Sequence, residues 1–278
     1  MWKARRRRQL RLAAFPQSWR EALLRSCPLY SELPQADQAE LEGHIQVFLA
    51  EKRFEGCGGA TVTDEVRLVI AAQACLLLLH RASNCYPAVR SVVLYPSSFL
   101  VPSQRHLGSG ITEEGSQVIA GEAWREGVVV LAVDAACGGR ALLEQGYNVV
   151  LHEFAHELDY EDGWLNGVPA LAEGQPRRLR EERHASWARV MSGELERLRE
   201  AVQNGEPTAL DAYGATNAPE FFAVCTESFF GRPNQLHRAC PELYRELSRY
   251  YRQDPRQWRS PTAEEHTERA TSPGADGA

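Results

Sequence analysis

The chain has 278 residues, is 44% hydrophobic and carries a formal net charge of −6 at pH 7, which describes a globular protein large enough to bury a core. Residues 1–11 hold six positive charges and no negative one, so the remainder of the chain carries −12. An acidic body of this kind argues against direct nucleic-acid binding, which requires clustered lysine and arginine.

The N-terminal residues 1–15 predict a flexible basic arm. The sequence after the arginines, QLRLAAFPQSW, lacks the continuous apolar stretch of a secretory signal. The longest apolar run, 68–79, is shorter than the ~20 residues that cross a bilayer, so we expect a buried helix there and no membrane association. The seven cysteines are odd in number and form no CxxC pair, as expected of reduced thiols. Together these features predict a cytoplasmic protein.

Apolar spacing changes its period along the chain. A period near 3.6 predicts helices over 19–49 and 64–82, separated by a glycine-rich break at 56–59. Short valine-rich runs between Gly, Pro and Ser turns then predict three or four strands at 91–101, 116–124 and 127–133. The helical period returns after Tyr147 and predicts four more helices at 148–160, 178–204, 218–230 and 237–251.

These elements predict an α+β fold that is mainly helical, with a small mixed sheet beside the helix that begins at Asn148. We expect one folded domain over 16–257 that starts with an N-terminal helical layer. The composition of 258–278, rich in Ser, Thr, Pro, Gly and Glu, predicts a disordered tail.

The informative motif is His152-Glu153-Phe154-Ala155-His156, an HExxH sequence on a predicted helix. Residues four apart lie on the same helix face, so both histidines can direct a ring nitrogen at one ion. The alternative is a solvated helix with two surface histidines, which the apolar residues at 149–151 disfavour. The motif therefore predicts a zinc site in which Glu153 is the general base for an activated water.

A third ligand must come from elsewhere, because no further histidine follows at the HExxHxxGxxH spacing. Glu220 and Glu227 are the candidates, since both lie in a strongly apolar predicted helix. Glu220 could instead form a capping box with Asn217, and Glu227 could be an ordinary solvated residue. The two glutamates are about two turns apart and lie on nearly one face, so spacing alone leaves their roles open.

Asp159 follows His156 by one helical turn. Its carboxylate could accept the second N–H of a ligand histidine. A helix-end cap and a surface charge are equally compatible with this position.

Two segments resemble the Mlc titration factor A family, zinc peptidases with a zincin-like core similar to the anthrax lethal factor protease domain: VVLHEFAHELDYEDGWLNGVP and DAYGATNAPEFFAVCTESFF. The resemblance runs from about 19 to 255 and includes VVLYPSSFLV and GEAW, whereas the arginine-rich start and the tail differ from the family. It implies one zinc per chain with His152, His156 and Glu220 as ligands and Glu153 as the base. It also implies that Tyr213 donates a hydrogen bond to the oxyanion; the alternative is a packed loop aromatic.

The resemblance implies an aminopeptidase-like metallopeptidase. We expect it to act on short peptides or exposed protein termini, with a sheet edge beside the motif helix holding the substrate by strand addition. The resemblance also implies binding to the repressor Mlc in enteric relatives, which would connect the protein to sugar-phosphotransferase expression. The alternative is a non-catalytic zinc protein that sequesters a transcriptional repressor. A third possibility, contact with DNA through the arginines at 5–8, is disfavoured by the acidic body.

Overall fold

The computed structural model describes residues 2–81, 84–97, 100–107, 111–118, 127–171 and 175–258, with the backbone alone for 100–107 and 111–118. The α-helices within these ranges are α1 (Trp2–Leu12), α2 (Gln17–Ser26), α3 (Pro28–Glu32), α4 (Gln35–Glu51), α5 (Asp64–Leu76), α6 (Val133–Ala136), α7 (Gly139–Glu144), α8 (Val149–Asp159), α9 (Arg177–Asn204), α10 (Ala218–Gly231), α11 (Pro233–Ala239) and α12 (Pro241–Tyr251). The strands are β1 (Arg53–Gly56), β2 (Ser91–Tyr95), β3 (Leu100–Leu107), β4 (Ile111–Val118) and β5 (Val128–Ala132).

The strands form two separate sheets, which corrects the prediction of one mixed sheet. Strands β1, β2 and β5 make a parallel sheet in the order β1-β2-β5, and Val92 of β2 pairs with Phe54 and Val129. Strands β3 and β4 form an antiparallel pair of their own. Parallel neighbours need long connections, and here α5 joins β1 to β2 while the β3–β4 pair lies between β2 and β5 in sequence. The mainly helical α+β prediction is confirmed.

Prolines explain why two predicted helices are divided in the structure. The segment 19–49 contains α2, α3 and α4, with Pro28 as the first residue of α3 and Pro34 directly before α4. The segment 237–251 is split between α11 and α12, and Pro241 begins the second helix. Proline lacks the N–H that a helix interior requires but suits the first helical turn, so each one starts a new helix.

The N-terminal residues 2–12 form helix α1, where the sequence predicts a flexible arm. Arg7 donates from Nε and Nη2 to the two carboxylate oxygens of Glu51 on α4, each at 2.7 Å. Gly43 permits the close approach of the two helices, because a Cβ at this position would lie 3.3 Å from the Arg11 carbonyl oxygen. Pairing of charges between α1 and α4 therefore orders this segment. The boundary at 15–16 stays a prediction, and 259–278 and GEAW lie outside the described residues.

Helix α8 is buried in the centre of the molecule. Leu151, Ala155 and Leu158 have no exposed surface, as the apolar stripe of the motif helix predicts. The ring of Phe154 packs edge-on against Phe48 and Tyr86 at centroid distances of 5.6 and 4.7 Å. Packing on all sides fixes the backbone of this helix and thereby the side chains that it carries. None of the helices described is both long and apolar enough to cross a membrane.

Candidate metal centre

Two helices, each with an asparagine at its N-terminus, carry the candidate ligands. The side chain of Asn148 accepts a hydrogen bond from the Leu151 N–H at 2.9 Å and starts α8. Asn217 accepts from the Glu220 N–H at 2.9 Å and starts α10. Asn217 thus caps its helix as the sequence suggests, while the Glu220 carboxylate is directed at the histidines of α8. Local capping and the contact between α8 and α10 together place Glu220 opposite the HExxH face.

His152, His156 and Glu220 come together as a triangle of ligand atoms. Nε2 of His152 lies 3.2 Å from Nε2 of His156 and 3.0 Å from Oε2 of Glu220, and the third side of the triangle is 3.3 Å. A tetrahedral zinc ion with bonds of ~2.0–2.1 Å separates its ligand atoms by about 3.3 Å. The three donors therefore have the spacing that such an ion requires. In the described part of the chain they are the one group of three or more His, Cys, Asp or Glu residues close enough to hold a metal.

Glu227 binds the opposite side of the His152 ring. Its Oε1 lies 2.7 Å from Nδ1 of His152, and its Oε2 accepts the Asn148 N–H at 2.5 Å. An ionised carboxylate can only accept hydrogen bonds, so Nδ1 of His152 donates to Glu227 and Nε2 is the ring nitrogen that faces the triangle. Glu227 is 4% exposed, so it is not the solvated residue that the sequence allowed.

Asp159 holds the loop that follows α8. The residue is fully buried, and its Oδ2 accepts the Gly167 N–H at 2.7 Å. Burial raises the pKa of this carboxyl to about 6, against the effect of the backbone N–H groups of the loop. The hydrogen bond to a ligand histidine that the sequence allowed is made by Glu227 to His152.

The pKa values of the three candidate ligands reflect both burial and the hydrogen bonds among them. Burial lowers the pKa of His152, but hydrogen bonds to Glu220 and Glu227 outweigh burial and raise the pKa to about 10. Burial raises the pKa of Glu220, and hydrogen bonds from both histidines overcome it and lower the pKa to about 2. Burial also lowers the pKa of His156. Glu220 is thus held as a carboxylate, the form that binds a cation.

Glu153 lies on the same helix and is 2% exposed. Burial raises its pKa well above the ordinary value, opposed by the neighbouring His152 and reinforced by the carboxylates of Glu220 and Glu227. A carboxylate with a raised pKa is a stronger base than a solvated one and accepts a proton more readily near neutral pH.

Tyr213 lies at the exposed rim of the centre. Its ring centroid is 6.0 Å from that of His152, and half of the residue is exposed. It belongs to a short 3-10 helix, Ala212–Ala215, in which Asp211 accepts the Tyr213 N–H at 2.8 Å. The structure thus brings Tyr213 to the same centre as the two histidines and Glu220.

Comparison with known proteins identifies the family of the chain. The family model described as Glucose-regulated metallo-peptidase M90 matches residues 1–252. An uncharacterized protein of Synechocystis sp. (strain PCC 6803) is 39% identical over 91% of this chain and 90% of the relative. Mlc titration factor A of Serratia proteamaculans is 30% identical over 85% of this chain and 87% of the relative, and that of Yersinia pestis is 30% identical over 92% and 90%. The chain belongs to the glucose-regulated metallopeptidase M90 family.

Proposed function

We propose that the chain is a zinc-dependent, aminopeptidase-like metallopeptidase with a zincin-like core, in which His152, His156 and Glu220 bind one zinc ion and Glu153 is the general base. The observation that carries this proposal is the triangle of ligand atoms with sides of 3.0, 3.2 and 3.3 Å. Two imidazole nitrogens and a carboxylate oxygen are a donor set of catalytic zinc sites. A structural zinc site would have four protein ligands and no need of a buried base beside them.

Each residue has a defined part in peptide hydrolysis. When bound, zinc supplies the Lewis acidity that polarises the peptide carbonyl and lowers the pKa of water. Glu153 accepts the proton of the attacking water and then delivers it to the leaving amine. Tyr213 donates a hydrogen bond to the developing oxyanion. Glu227 holds the His152 ring so that Nε2 faces the other two ligand atoms of the triangle.

The substrate is a short peptide or an exposed protein terminus. Strand β5 contacts α8 and, among the strands described, pairs with β2 alone, so its other edge can bind an extended peptide by strand addition. In this proposal, a peptide backbone held at that edge lies beside α8. All seven cysteines are free thiols, which suits a protein that acts in the reducing cytoplasm.

The test combines zinc analysis with hydrolysis of a panel of aminoacyl and peptide anilides. We expect one zinc per wild-type chain, and a loss of hydrolysis of about 10²–10⁴-fold in Glu153→Gln with zinc retained. Glu220→Gln should lose the zinc as well. The matched control is Glu157→Gln on the same helix: burial raises the pKa of Glu157 to about 7, so a neutral amide is tolerated there and both properties should persist.

A second function, the sequestration of a transcriptional repressor of the Mlc type, is favoured by the name Mlc titration factor A of the two relatives at 30% identity. If the chain has this second function, zinc stabilises the fold and peptide hydrolysis is a minor activity. Glu153→Gln separates the two functions, because the substitution should leave binding to such a repressor within twofold of wild type. Zinc binding without hydrolysis of any substrate by the wild-type chain would favour sequestration over catalysis.

A further inference from the structure

A buried glutamine lies within the apolar helix α5. Gln73 is 6% exposed, and its Nε2 donates to the carbonyl oxygens of Ala136 and Val69 at 3.0 and 3.2 Å. Its Oε1 accepts from Nδ2 of Asn148 at 2.5 Å. A buried amide is costly unless its hydrogen bonds are satisfied, and here one of these bonds reaches Asn148, the N-cap residue of α8.

Asn148 does more than cap α8. Its Oδ1 makes the capping bond, its Nδ2 donates to Gln73, and its backbone N–H donates to Glu227. Asn217 makes the equivalent capping bond on α10 from an exposed position. Capping accounts for an asparagine at both positions, but it does not account for the burial of Asn148 or for its bond to Gln73.

These bonds form a continuous hydrogen-bond network from Gln73 through Asn148 and Glu227 to Nδ1 of His152. Each donor and acceptor has a fixed role, because the Glu227 carboxylate only accepts and the backbone N–H of Asn148 only donates. This hydrogen-bond network also reaches Ala136, whose carbonyl oxygen accepts from Gln73. Ala136 is the last residue of α6, and α6 directly follows the edge strand β5. The network therefore connects His152 to the β5 edge on which the proposed substrate strand would lie.

We propose that Gln73 and Asn148 are positioning residues, which orient Glu227 and through it His152 and so set the affinity and geometry of the metal site without touching it. The proposal rests on the zinc site proposed above. Because both residues act through the one hydrogen bond between Asn148 Nδ2 and Gln73 Oε1, removing either partner of this bond should have nearly the same effect. Once one partner is removed, removing the other should add little.

Two substitutions each remove this hydrogen bond, one from the donor side and one from the acceptor side. Asn148→Ser keeps an oxygen that can cap α8 and the backbone N–H to Glu227 but removes the donor to Gln73. Gln73→Met keeps the length of the side chain and removes its polar atoms. Asn166→Ser is the control for the loss of an asparagine amide, because Asn166 is exposed and its side-chain oxygen accepts the Val168 N–H at 2.9 Å. Gln253→Met is the control for a buried glutamine, because Gln253 is 6% exposed and donates to the Leu76 carbonyl of α5.

The experiment measures Co²⁺ dissociation constants by competition with a chelator, the visible spectrum of the bound Co²⁺, and the melting temperature of every variant. Outer partners of metal ligands typically change metal affinity about 10–100-fold, so we expect about tenfold weaker binding in Asn148→Ser and in Gln73→Met, with a changed spectrum. The double variant should bind within about twofold of either single variant, and both controls should bind as the wild type does.

Wild-type Co²⁺ affinity and spectrum in folded Asn148→Ser would overturn the positioning role and leave the proposed zinc site intact. Additive losses in the double variant would also contradict an effect that acts through this one hydrogen bond. Failure of the wild-type chain to bind Co²⁺ would remove the proposed site and this inference with it. Asn148→Ser retains the cap, so it carries the test alone should Gln73→Met lower the melting temperature too far.

Discussion

At the scale of single residues, a substitution of Tyr213 tests catalysis separately from metal binding. Tyr213 is half exposed and its ring lies 6.0 Å from that of His152, whereas the two histidines proposed as ligands are buried. Loss of one oxyanion donor typically costs about 10²–10³ in turnover, so Tyr213→Phe should lower kcat by about 100-fold and leave zinc content unchanged. The control is Tyr160→Phe, because Tyr160 is an exposed tyrosine directly after α8. Full activity in Tyr213→Phe would make Tyr213 a packed loop aromatic.

The same scale shows what local sequence can predict about a site. The spacing of His152 and His156 predicts a shared helix face, and the structure has both nitrogens in one triangle. The roles of Glu220 and Glu227 do not follow from spacing, because residues two turns apart share a face. In the structure they contact opposite nitrogens of the same ring, Nε2 and Nδ1. This difference depends on how α10 crosses α8, which no local pattern contains.

At the scale of elements, helices with strong apolar periods are predicted well and long-range pairings are not. The predicted segments 148–160, 178–204 and 218–230 correspond to α8, α9 and α10 within a few residues. The predicted runs 91–101 and 127–133 contain β2 and β5, but the sequence predicts no strand at β1, and the order β1-β2-β5 depends on crossovers between distant segments. Similarly, the arginine-rich start has no apolar period of its own, and the charge of Glu51, distant in sequence, is what holds it as α1.

The attachment of α1 gives a stability prediction. Arg7 and Glu51 have side chains that are each 12% exposed and share two hydrogen bonds. Arg7→Met retains the apolar stem and removes both bonds, so the free energy of unfolding should fall by about 1–3 kcal/mol, as expected for hydrogen bonds between charged groups. Urea denaturation measures this change, with the exposed Arg8→Met as control. Equal stability of the two variants would mean that α1 adds nothing to the fold.

At the scale of the whole molecule, the proposed ion would join two helices of the core. His152 and Glu220 are 68 residues apart in sequence, so their ligand atoms meet only when α8 and α10 are packed together. An ion that binds only the folded chain stabilises it by about 2.7 kcal/mol at a free concentration 100 times its Kd. For a domain of this size each kcal/mol corresponds to about 2–4 °C, so removal of the metal should lower the melting temperature by about 5–10 °C.

Calorimetry or circular dichroism with and without a chelator measures this shift, and two variants identify its source. Glu220→Gln removes one of the three donors, so its melting temperature should be nearly insensitive to the chelator. Glu157→Gln lies outside the triangle and should show the full wild-type shift. A shift that persists in Glu220→Gln would place the stabilising ion elsewhere. Zinc loss without any shift would mean that α8 and α10 stay packed without it, because their apolar contacts suffice.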